Sequence, residues 1–360
     1  MTGSKNSAGN PAGLIRRSHR SHRGNDNDDG IIFVSINYRL GAFGFLSTPP
    51  PRPNDITPNA ALHDQRLALR WVQSHIHLFG GDRARVTAMG ESAGAGAIAH
   101  HITAYGGGAV DEPVPVYPIV QDWGREHDGR DVARRVGGGR GKLDDFGDDD
   151  DGDDKEEKEE KEKGTPPLFH RAILESPGWY PPLGARKVAE GFRAFLEYAG
   201  GVKDVTELRA LPSWRLMEAN RAMRRAAAPG SFVFGPVVDG GLVRADPRAT
   251  LLRVYGGVNG DGGGGESVGG VQAVLIGRSA DEGRLFVPPE LQTEEQFEAF
   301  VRAVYGPDRD NSIRYIVEIL YPPVYTGWHA LYADVQQRAA LLLSDWTGWG
   351  EGCGIVCLSL

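Results

Sequence analysis

The fold of this chain is decided by the stretch Arg85-Val86-Thr87-Ala88-Met89-Gly90-Glu91-Ser92-Ala93-Gly94-Ala95. A short β-prone run leads into the pattern Gly-x-Ser-x-Gly, and an alanine-rich run over residues 95–101 favours a helix after it. This strand–turn–helix order is typical of a nucleophile elbow, a turn so sharp that a Cβ on either side of the serine would clash. We predict that Ser92 is strained there, with its hydroxyl in a cleft. A chance Gly/Ser/Ala turn is the alternative, because the chain has 50 glycines.

Hydrophobic patterns on both sides of this stretch predict a parallel sheet. Residues 31–36 form a continuous apolar run, as expected of a strand that is buried on both faces. One face of a predicted helix, which ends at Gly80-Gly81, carries Leu62, Leu69, Val72, Ile76 and Phe79. Further strands are predicted over residues 169–176 and 273–277, and further helices over 188–199 and 205–226. This alternation predicts an α/β fold with right-handed crossovers.

Two segments break the periodicity. Residues 105–165 are rich in Gly, Asp, Glu and Lys and hold few large apolar groups, so they cannot bury enough surface to offset their chain entropy. Residues 256–270 are Gly-rich and are predicted to form a flexible loop. We therefore expect a single α/β domain over residues 1–360 that carries a disordered acidic insertion at 105–165.

The net charge of −8 comes from this insertion. Residues 144–163 hold 13 acidic side chains against 4 lysines, a net of −9, so the remainder of the chain carries +1. That remainder offers no basic patch for nucleic acid, and the short basic run over residues 16–23 is interpreted as a flexible loop. We predict no nucleic-acid partner.

Neither hydropathy nor cysteine usage assigns a compartment. No apolar run reaches the roughly 18 residues that a transmembrane segment needs, and residues 1–30 lack the apolar core of a signal peptide. Cys353 and Cys357 are the only cysteines, so the sequence predicts neither a disulfide framework nor a metal cluster. Localisation and oligomeric state are left undetermined.

Six motifs follow one another in an order that identifies a family. They are Val34-Ser35-Ile36-Asn37-Tyr38-Arg39-Leu40-Gly41-Ala42-Phe43-Gly44-Phe45-Leu46, Phe79-Gly80-Gly81-Asp82, Gly90-Glu91-Ser92-Ala93-Gly94-Ala95, Leu168-Phe169-His170-Arg171-Ala172-Ile173, Gly235-Pro236-Val237-Val238-Asp239-Gly240 and Asp281-Glu282-Gly283. Together they resemble the type B carboxylesterases, a family that includes fungal lipases and cholinesterases. The resemblance covers roughly residues 10–104 and 166–345. It implies the α/β-hydrolase fold, a mostly parallel central sheet flanked by helices.

The resemblance also implies a reaction and the residues that perform it. It implies hydrolysis of a small-molecule or lipid carboxylic ester through an acyl-enzyme, with Ser92 as nucleophile and the backbone N–H of Ala93 as an oxyanion donor. Glu282 matches the acid that orients the base histidine, and Asp281 matches a position beside it. No cofactor and no metal are implied. Members of the family are often secreted.

The catalytic base has no counterpart in this resemblance. His329 is the only histidine after Glu282, but it lies before residues 338–345, the segment that precedes the base in the family. The match also begins near residues 7–10, just after the position of the family's His-Gly-Gly-Gly oxyanion loop. We therefore expect a domain that is incomplete at both termini and impaired in hydrolysis. The alternatives are a non-catalytic cholinesterase-like binding protein and a pseudoenzyme fragment.

Several other residues are weighed against packing roles. Arg39 resembles a family arginine in an internal ion pair, and Ser176 resembles a serine that supports the triad carboxylate. Glu91 either tunes the field of the cleft or forms a hydrogen bond beneath the elbow. His100 and His101 precede Glu282, which violates the order of the triad, so they are interpreted as packing or surface groups. Aromatic side chains that either line an acyl pocket or belong to the core are Trp179, Phe232 and Phe234.

Overall fold

The computed structural model describes residues 10–19, 30–49, 56–106, 167–178, 182–227, 233–255, 270–279, 281–305, 310–347 and 356–359. The α-helices of this part of the chain are α1 (Ala12–Ser18), α2 (Ala42–Phe45), α3 (Ala60–His75), α4 (Ala93–Ile102), α5 (Ala185–Tyr198), α6 (Val205–Ala210), α7 (Ser213–Ala226), α8 (Pro247–Tyr255), α9 (Glu294–Tyr305), α10 (Asp310–Tyr315) and α11 (Val335–Thr347). A π-helical turn, Ile316–Leu320, continues α10. Short 3₁₀ helices lie at Ile76–Phe79, Arg83–Arg85, Ala104–Gly106 and Glu282–Phe286.

Four strands of the described chain form one sheet in the order β1-β2-β3-β4. They are β1 (Thr87–Glu91), β2 (Arg171–Glu175), β3 (Ala273–Gly277) and β4 (Val356–Ser359). The first three strands are parallel, and β4 pairs with β3 in the antiparallel direction. The predicted strands before the elbow, at 169–176 and at 273–277 are therefore confirmed. Because the first three strands run the same way, their carboxyl ends meet at one edge of the sheet.

The core between the sheet and α4 explains why these elements form. Ala172 and Leu174 alternate toward this core from β2, while Ala95, Ala99 and Ile102 contribute the facing side of α4. Small alanines let the helix lie close to the sheet, and the strand residues supply the bulk. This packing fixes the start of α4, and therefore the elbow, against the carboxyl edge of the sheet.

The predicted strand at residues 31–36 is wrong. The structure gives these residues no strand, and the side chains of Ile31, Ile32, Phe33 and Val34 are all exposed by about two fifths. A strand exists only when its backbone pairs with a neighbour. Within the described chain β1 pairs with β2 alone, so residues 31–36 join no ladder. The apolar run indicated a need for burial but not the partner that would satisfy it.

The predicted helices need two smaller corrections. The helix before the elbow forms as α3 and its 3₁₀ extension, and Gly80 ends it with a φ of 79°. Phe79, however, is exposed at the end of that extension rather than buried with Leu62 and Ile76. The helix predicted over 205–226 is two helices, because Pro212 lacks a backbone N–H and favours extended geometry at the residue before it.

The last described helices are organised around a buried arginine. Arg338 of α11 is fully buried, and its guanidinium lies 4.0 Å from the ring centroid of Phe297. It donates to the carbonyls of Val317 and Tyr321, at the π-helical turn, and it forms an ion pair with Glu294. These donors bind backbone oxygens at an irregular helix end.

Three earlier predictions meet limits here. Apart from Tyr105, Gly106 and Gly270, the insertion at 105–165 and the Gly-rich loop at 256–270 lie outside the described residues. The single domain over 1–360 therefore stays a prediction. No helix of the described chain is both long and apolar enough to cross a membrane.

Candidate active site

Ser92 occupies a strained turn between β1 and α4. Its φ of 55° and ψ of −121° lie in a region that non-glycine residues rarely adopt, and it is the N-cap of α4. Three backbone hydrogen bonds hold it there. Its N–H donates to Glu175 at 2.9 Å, and its carbonyl accepts from Gly96 at 3.0 Å and from Gly178 at 2.9 Å. The geometry is that of the predicted elbow.

The glycines around Ser92 have different reasons to be there. A Cβ on Gly90 would lie 2.6 Å from the carbonyl carbon of Gly94, so the turn excludes a side chain at that position. A Cβ on Gly94 would meet nothing within 4 Å, so the predicted clash at this second flank is wrong. Gly96 was missed: its Cβ would lie 2.5 Å from the carbonyl oxygen of Gly178. A glycine inside a helical run was the available signal for such a close approach.

The start of α4 presents unused donors beside Ser92. Backbone N–H groups in the first turn of a helix have no intrahelical partner. Those of Ala93, Gly94 and Ala95 form no hydrogen bond to any described residue. The helix dipole adds a partial positive charge at the same point. This arrangement suits an anionic group beside Ser92.

Glu282 follows the carboxyl end of β3 and begins the 3₁₀ helix Glu282–Phe286. Its carboxylate accepts a hydrogen bond from the N–H of Ser279 at 2.7 Å, which folds the connection after β3 back on itself. Gly283 is buried against α11, where its N–H donates to the Ser344 hydroxyl at 2.8 Å. A Cβ on Gly283 would collide with the carbonyl of Ala340. The helix α11 therefore fixes the turn that carries Glu282.

Ser92 and Glu282 follow strands whose carboxyl ends lie at the same edge of the sheet. They follow β1 and β3, with β2 between them, so about 10 Å separates the two strand ends. Ser176 follows β2 in the middle, with a φ of 45°, and its N–H donates to Gly277 at 2.7 Å. Backbone strain of this kind concentrates at functional sites. In the described chain, four non-glycine residues have a positive φ, and two of them are at this edge.

No described histidine is hydrogen-bonded to the elbow serine, whose hydroxyl bonds to none of the described residues. Of the eight described histidines, His63 and His75 lie on α3, and His77 lies on the 3₁₀ helix after it. His170 lies at the amino edge of the sheet, and His100 and His101 lie at the far end of α4. His100 is eight residues along α4, about 12 Å from Ser92. His19 follows α1, and His329 is exposed in the segment after the π-helical turn.

His100 and His101 are packing groups, as one of the two interpretations predicted. Both are buried, and Nε2 of His101 lies 2.7 Å from Oε1 of Gln65. Among the described residues, Nδ1 of His101 has no hydrogen-bonding partner. Burial lowers the pKa of His100 to about 4, against the opposing pull of Asp246 and Asp239, and lowers the pKa of His101 well below its ordinary value. Both imidazoles are therefore neutral at pH 7.

Three of the other predicted residues lie in the described part of the chain: Arg39, Glu91 and Phe234. Arg39 forms the expected internal ion pair, with Asp64, at 2.7 Å. Glu91 is exposed at the end of β1. Its carboxylate forms no hydrogen bond to the described residues, so the alternative of a hydrogen bond beneath the elbow has no support. Phe234 packs edge-on against Phe195 in the core, while Trp179 and Phe232 lie outside the described residues.

Asn59 has a structural role that was not predicted from the sequence. It is fully buried with a φ of 54°, and its side chain binds both the N–H and the carbonyl of Val237 at 2.9 Å. The same amide donates to Asp239 at 2.7 Å. It therefore holds the Gly-Pro-Val-Val-Asp-Gly segment against the start of α3. The described residues contain no group of three or more His, Cys, Asp or Glu side chains arranged for a metal ion.

Two solved structures show which fold this chain shares. Aspergillus niger EstA covers the chain with a TM-score of 0.61 and 24% identity, over 96% of this chain and 53% of that one. A PNB esterase gives a TM-score of 0.53 and 22% identity, over 88% and 50% of the two chains. The fold is that of the α/β-hydrolases.

Comparison of the sequence finds similarity to carboxylesterases. The model of the family described as "Carboxylesterase family" matches residues 8–107 of this chain. Carboxylesterase patB of Aspergillus clavatus is 32% identical over 345 residues, which is 95% of this chain and 48% of that protein. The patB enzyme of Penicillium expansum is 30% identical over 96% and 48% of the two chains. The chain is similar to carboxylesterases over nearly its whole length, and it spans about half the length of these curated relatives.

Proposed function

We propose that this chain carries the nucleophile and acid of a carboxylic ester hydrolase that works through a serine acyl-enzyme. The observation that carries the proposal is the conformation of Ser92 at the carboxyl edge of a parallel sheet, directly before the unused N–H groups of α4. Glu282, after the strand two positions away, is proposed as the acid. The substrate class is a small-molecule or lipid carboxylic ester, in line with the carboxylesterases and lipases among its relatives.

Each proposed role follows from chemistry at a named atom. The Ser92 hydroxyl attacks the ester carbonyl, its proton passes to a base, and a bond forms between Oγ and the carbonyl carbon. The oxygen that gains negative charge is stabilised by the N–H of Ala93 and by the dipole of α4. Collapse expels the alcohol, which takes the proton, and water then releases the acid from Ser92. Glu282 acts by orienting an imidazolium rather than by touching the ester.

The spacing of the strand ends that precede Ser92 and Glu282 supports an imidazole between them. A hydrogen-bonded serine–imidazole–carboxylate array needs an intervening ring, and the two strand ends are about 10 Å apart. None of the described histidines is hydrogen-bonded to Ser92, so we propose that this 360-residue chain is slow as an esterase. In a triad protease, loss of the histidine costs on the order of a millionfold in rate.

Rescue by added imidazole tests the proposal. Hydrolysis of p-nitrophenyl butyrate is measured with increasing imidazole for the unaltered chain, for Ser92→Ala and for Glu282→Gln. Without imidazole, we expect the unaltered chain to be hardly faster than Ser92→Ala. With imidazole, we expect a saturable rate that Ser92→Ala lacks and that Glu282→Gln reduces. Robust turnover without imidazole that depends on Ser92 would contradict the proposed impairment, and a rescue equal in Ser92→Ala would contradict the nucleophile.

A non-catalytic binding role is the second candidate. It is favoured by the absence, among the described residues, of a histidine bonded to Ser92. Labelling with a fluorophosphonate distinguishes the two roles, because the reagent phosphonylates a serine only where the elbow and its oxyanion donors are functional. Imidazole-dependent labelling at Ser92 supports the hydrolase. No labelling and no rescue, in a chain that is folded by circular dichroism, supports a binding protein.

A further inference from the structure

The sheet has a second face, which points away from α4. Side chains alternate along a strand, so those of Ala172 and Leu174 pack toward α4 while that of Ile173 lies on the opposite face. In register with Ile173 are Met89 on β1 and Leu275 on β3. Half of the Met89 side chain is exposed, and Ile173 and Leu275 are partly exposed. Three neighbouring strands therefore present an apolar row to solvent.

Charged side chains lie at both ends of this row. Toward the carboxyl edge, Glu91 and Glu175 are register partners on adjacent strands, and both are exposed. Toward the amino edge, Arg171 is exposed on β2. Among the described residues, none of the three has an ion-pair partner. This surface, which we call the open face, is therefore acidic at one end, apolar in the middle and basic at the other end.

The acidic end of the open face favours a cationic group. Neighbouring strands are about 4.8 Å apart, so the carboxylates of Glu91 and Glu175 start from adjacent positions. Like charges directly opposite each other on neighbouring strands are destabilising. A lysine or arginine of a partner, placed over this end, would relieve the repulsion. A carboxylate of the same partner is favoured at the other end, over Arg171.

The dimensions of the open face match one α-helix. Three strands span about 10 Å, and an α-helix with its side chains is about 10–12 Å across. Along β2, Arg171 and Glu175 are four positions apart, which corresponds to about 13 Å. A helix covers this distance in about nine residues. A helix on the face of a sheet is also a common layer arrangement in α/β proteins.

We infer that the open face binds an amphipathic α-helix of another polypeptide. The apolar side of that helix contacts Met89, Ile173 and Leu275. A basic residue near its N-terminus lies over the two glutamates, and an acidic residue about nine positions later lies over Arg171. The helix therefore runs antiparallel to β1, β2 and β3, so that the positive end of its dipole meets the acidic end of the open face. The binding needs neither the Ser92 hydroxyl nor ester hydrolysis.

Fluorescence anisotropy with designed peptides tests the chemistry of the partner. The probe is a labelled, alanine-based helical peptide with leucines along one side, a lysine near its N-terminus and an aspartate nine positions later. One control peptide has the lysine and the aspartate exchanged, and another has the leucines dispersed around the helix. We expect one probe to bind per chain, and both controls to bind at least about tenfold more weakly. Equal affinity for the probe and either control, or no saturable binding of the probe, would overturn the inference.

A matched pair of substitutions tests the place of binding. Met89→Lys puts a charge into the apolar row, whereas Met217→Lys makes the same change on α7. The two methionines are similarly exposed, at 50% and 53%. We expect Met89→Lys to weaken binding of the probe at least about tenfold and Met217→Lys to leave it unchanged. Equal binding to both variants would place the peptide elsewhere and refute the inference.

A charge exchange tests the direction of the helix, and it replaces the first test if Met89→Lys fails to fold. The double variant Arg171→Glu/Glu175→Lys keeps the net charge of the chain but alters both ends of the open face. We expect it to bind the charge-exchanged peptide more tightly than the probe, the reverse of the order for the unaltered chain. The same order in both proteins would contradict the inference. The hydrolase proposal is tested separately, because Ser92→Ala should bind the probe unchanged.

Discussion

Acid should destabilise this protein through the buried imidazole of His100. Burial lowers the pKa of His100 from 6.5 to about 4 in the folded chain. Between these two values the unfolded chain binds the extra proton and the folded chain does not. The contribution of the neutral His100 side chain to the free energy of unfolding is therefore fully present above pH 6.5 and is lost as the pH falls toward 4. His101, whose pKa is also lowered by burial, acts in the same direction.

The size of the effect follows from the difference between the two pKa values. A difference of one unit corresponds to about 1.4 kcal/mol, and linkage then gives a loss of about 1 kcal/mol at pH 5.5 and about 3 kcal/mol at pH 4 for His100 alone. A domain has a free energy of unfolding of roughly 5–15 kcal/mol, so the loss is a substantial part of it. Carboxylates also titrate near pH 4, so the informative quantity is a difference between variants.

Urea unfolding followed by circular dichroism measures this difference. His100→Phe removes the titrating group from the core, and His329→Gln is the matched control that removes an exposed histidine. Between pH 7 and pH 4, we expect the unaltered chain and His329→Gln to lose about 3 kcal/mol more than His100→Phe does. Parallel curves for all three proteins would refute the reasoning, because they would show that the buried imidazole has no lowered pKa.

Three further substitutions test the packing around the site, each by urea unfolding at pH 7. Gly96→Ala should destabilise the chain by about 1–3 kcal/mol through contact with Gly178, while Gly94→Ala, which meets open space, should not; equal effects would contradict the close approach. Asn59→Ala should lower the free energy of unfolding by about 2–4 kcal/mol, because it removes the hydrogen bonds to the backbone of Val237 and places alanine at the strained φ of position 59. Arg338→Met should cost about 3–5 kcal/mol, since it strips donors from two carbonyls near the π-helical turn; a neutral result would mean that water replaces them.

The elbow could be predicted from the sequence because its determinants are local. Gly90 is constrained by Gly94, and the carbonyl of Ser92 accepts from Gly96, so a short pattern contains much of the information. The break at Pro212 also has a local cause, the missing N–H of the proline. One helix was predicted there because the helical pattern continues on both sides of the proline. The open space at Gly94 could not be read in this way, because it depends on what surrounds the turn.

Features that depend on distant partners could not be predicted as well. Residues 31–36 carry the composition of a buried strand, but composition contains no information about the neighbour. Glu282 was assigned as the acid from a motif. The helix that fixes its turn, α11, lies about 60 residues later along the chain, so the motif carries no information about it. The contacts of Asn59 with Val237 join positions 178 apart, which no periodicity reveals.

The outer edge of β1 has a consequence for how this chain must be handled. In the described structure β1 pairs on one side only, and the apolar side chains of residues 31–34 are exposed. An edge strand with open backbone donors and acceptors is a template on which another chain can add. Aggregation should therefore increase with protein concentration and begin at this edge. A lysine at position 33 or 34 would act as a gatekeeper, and it should raise solubility without any change in the elbow.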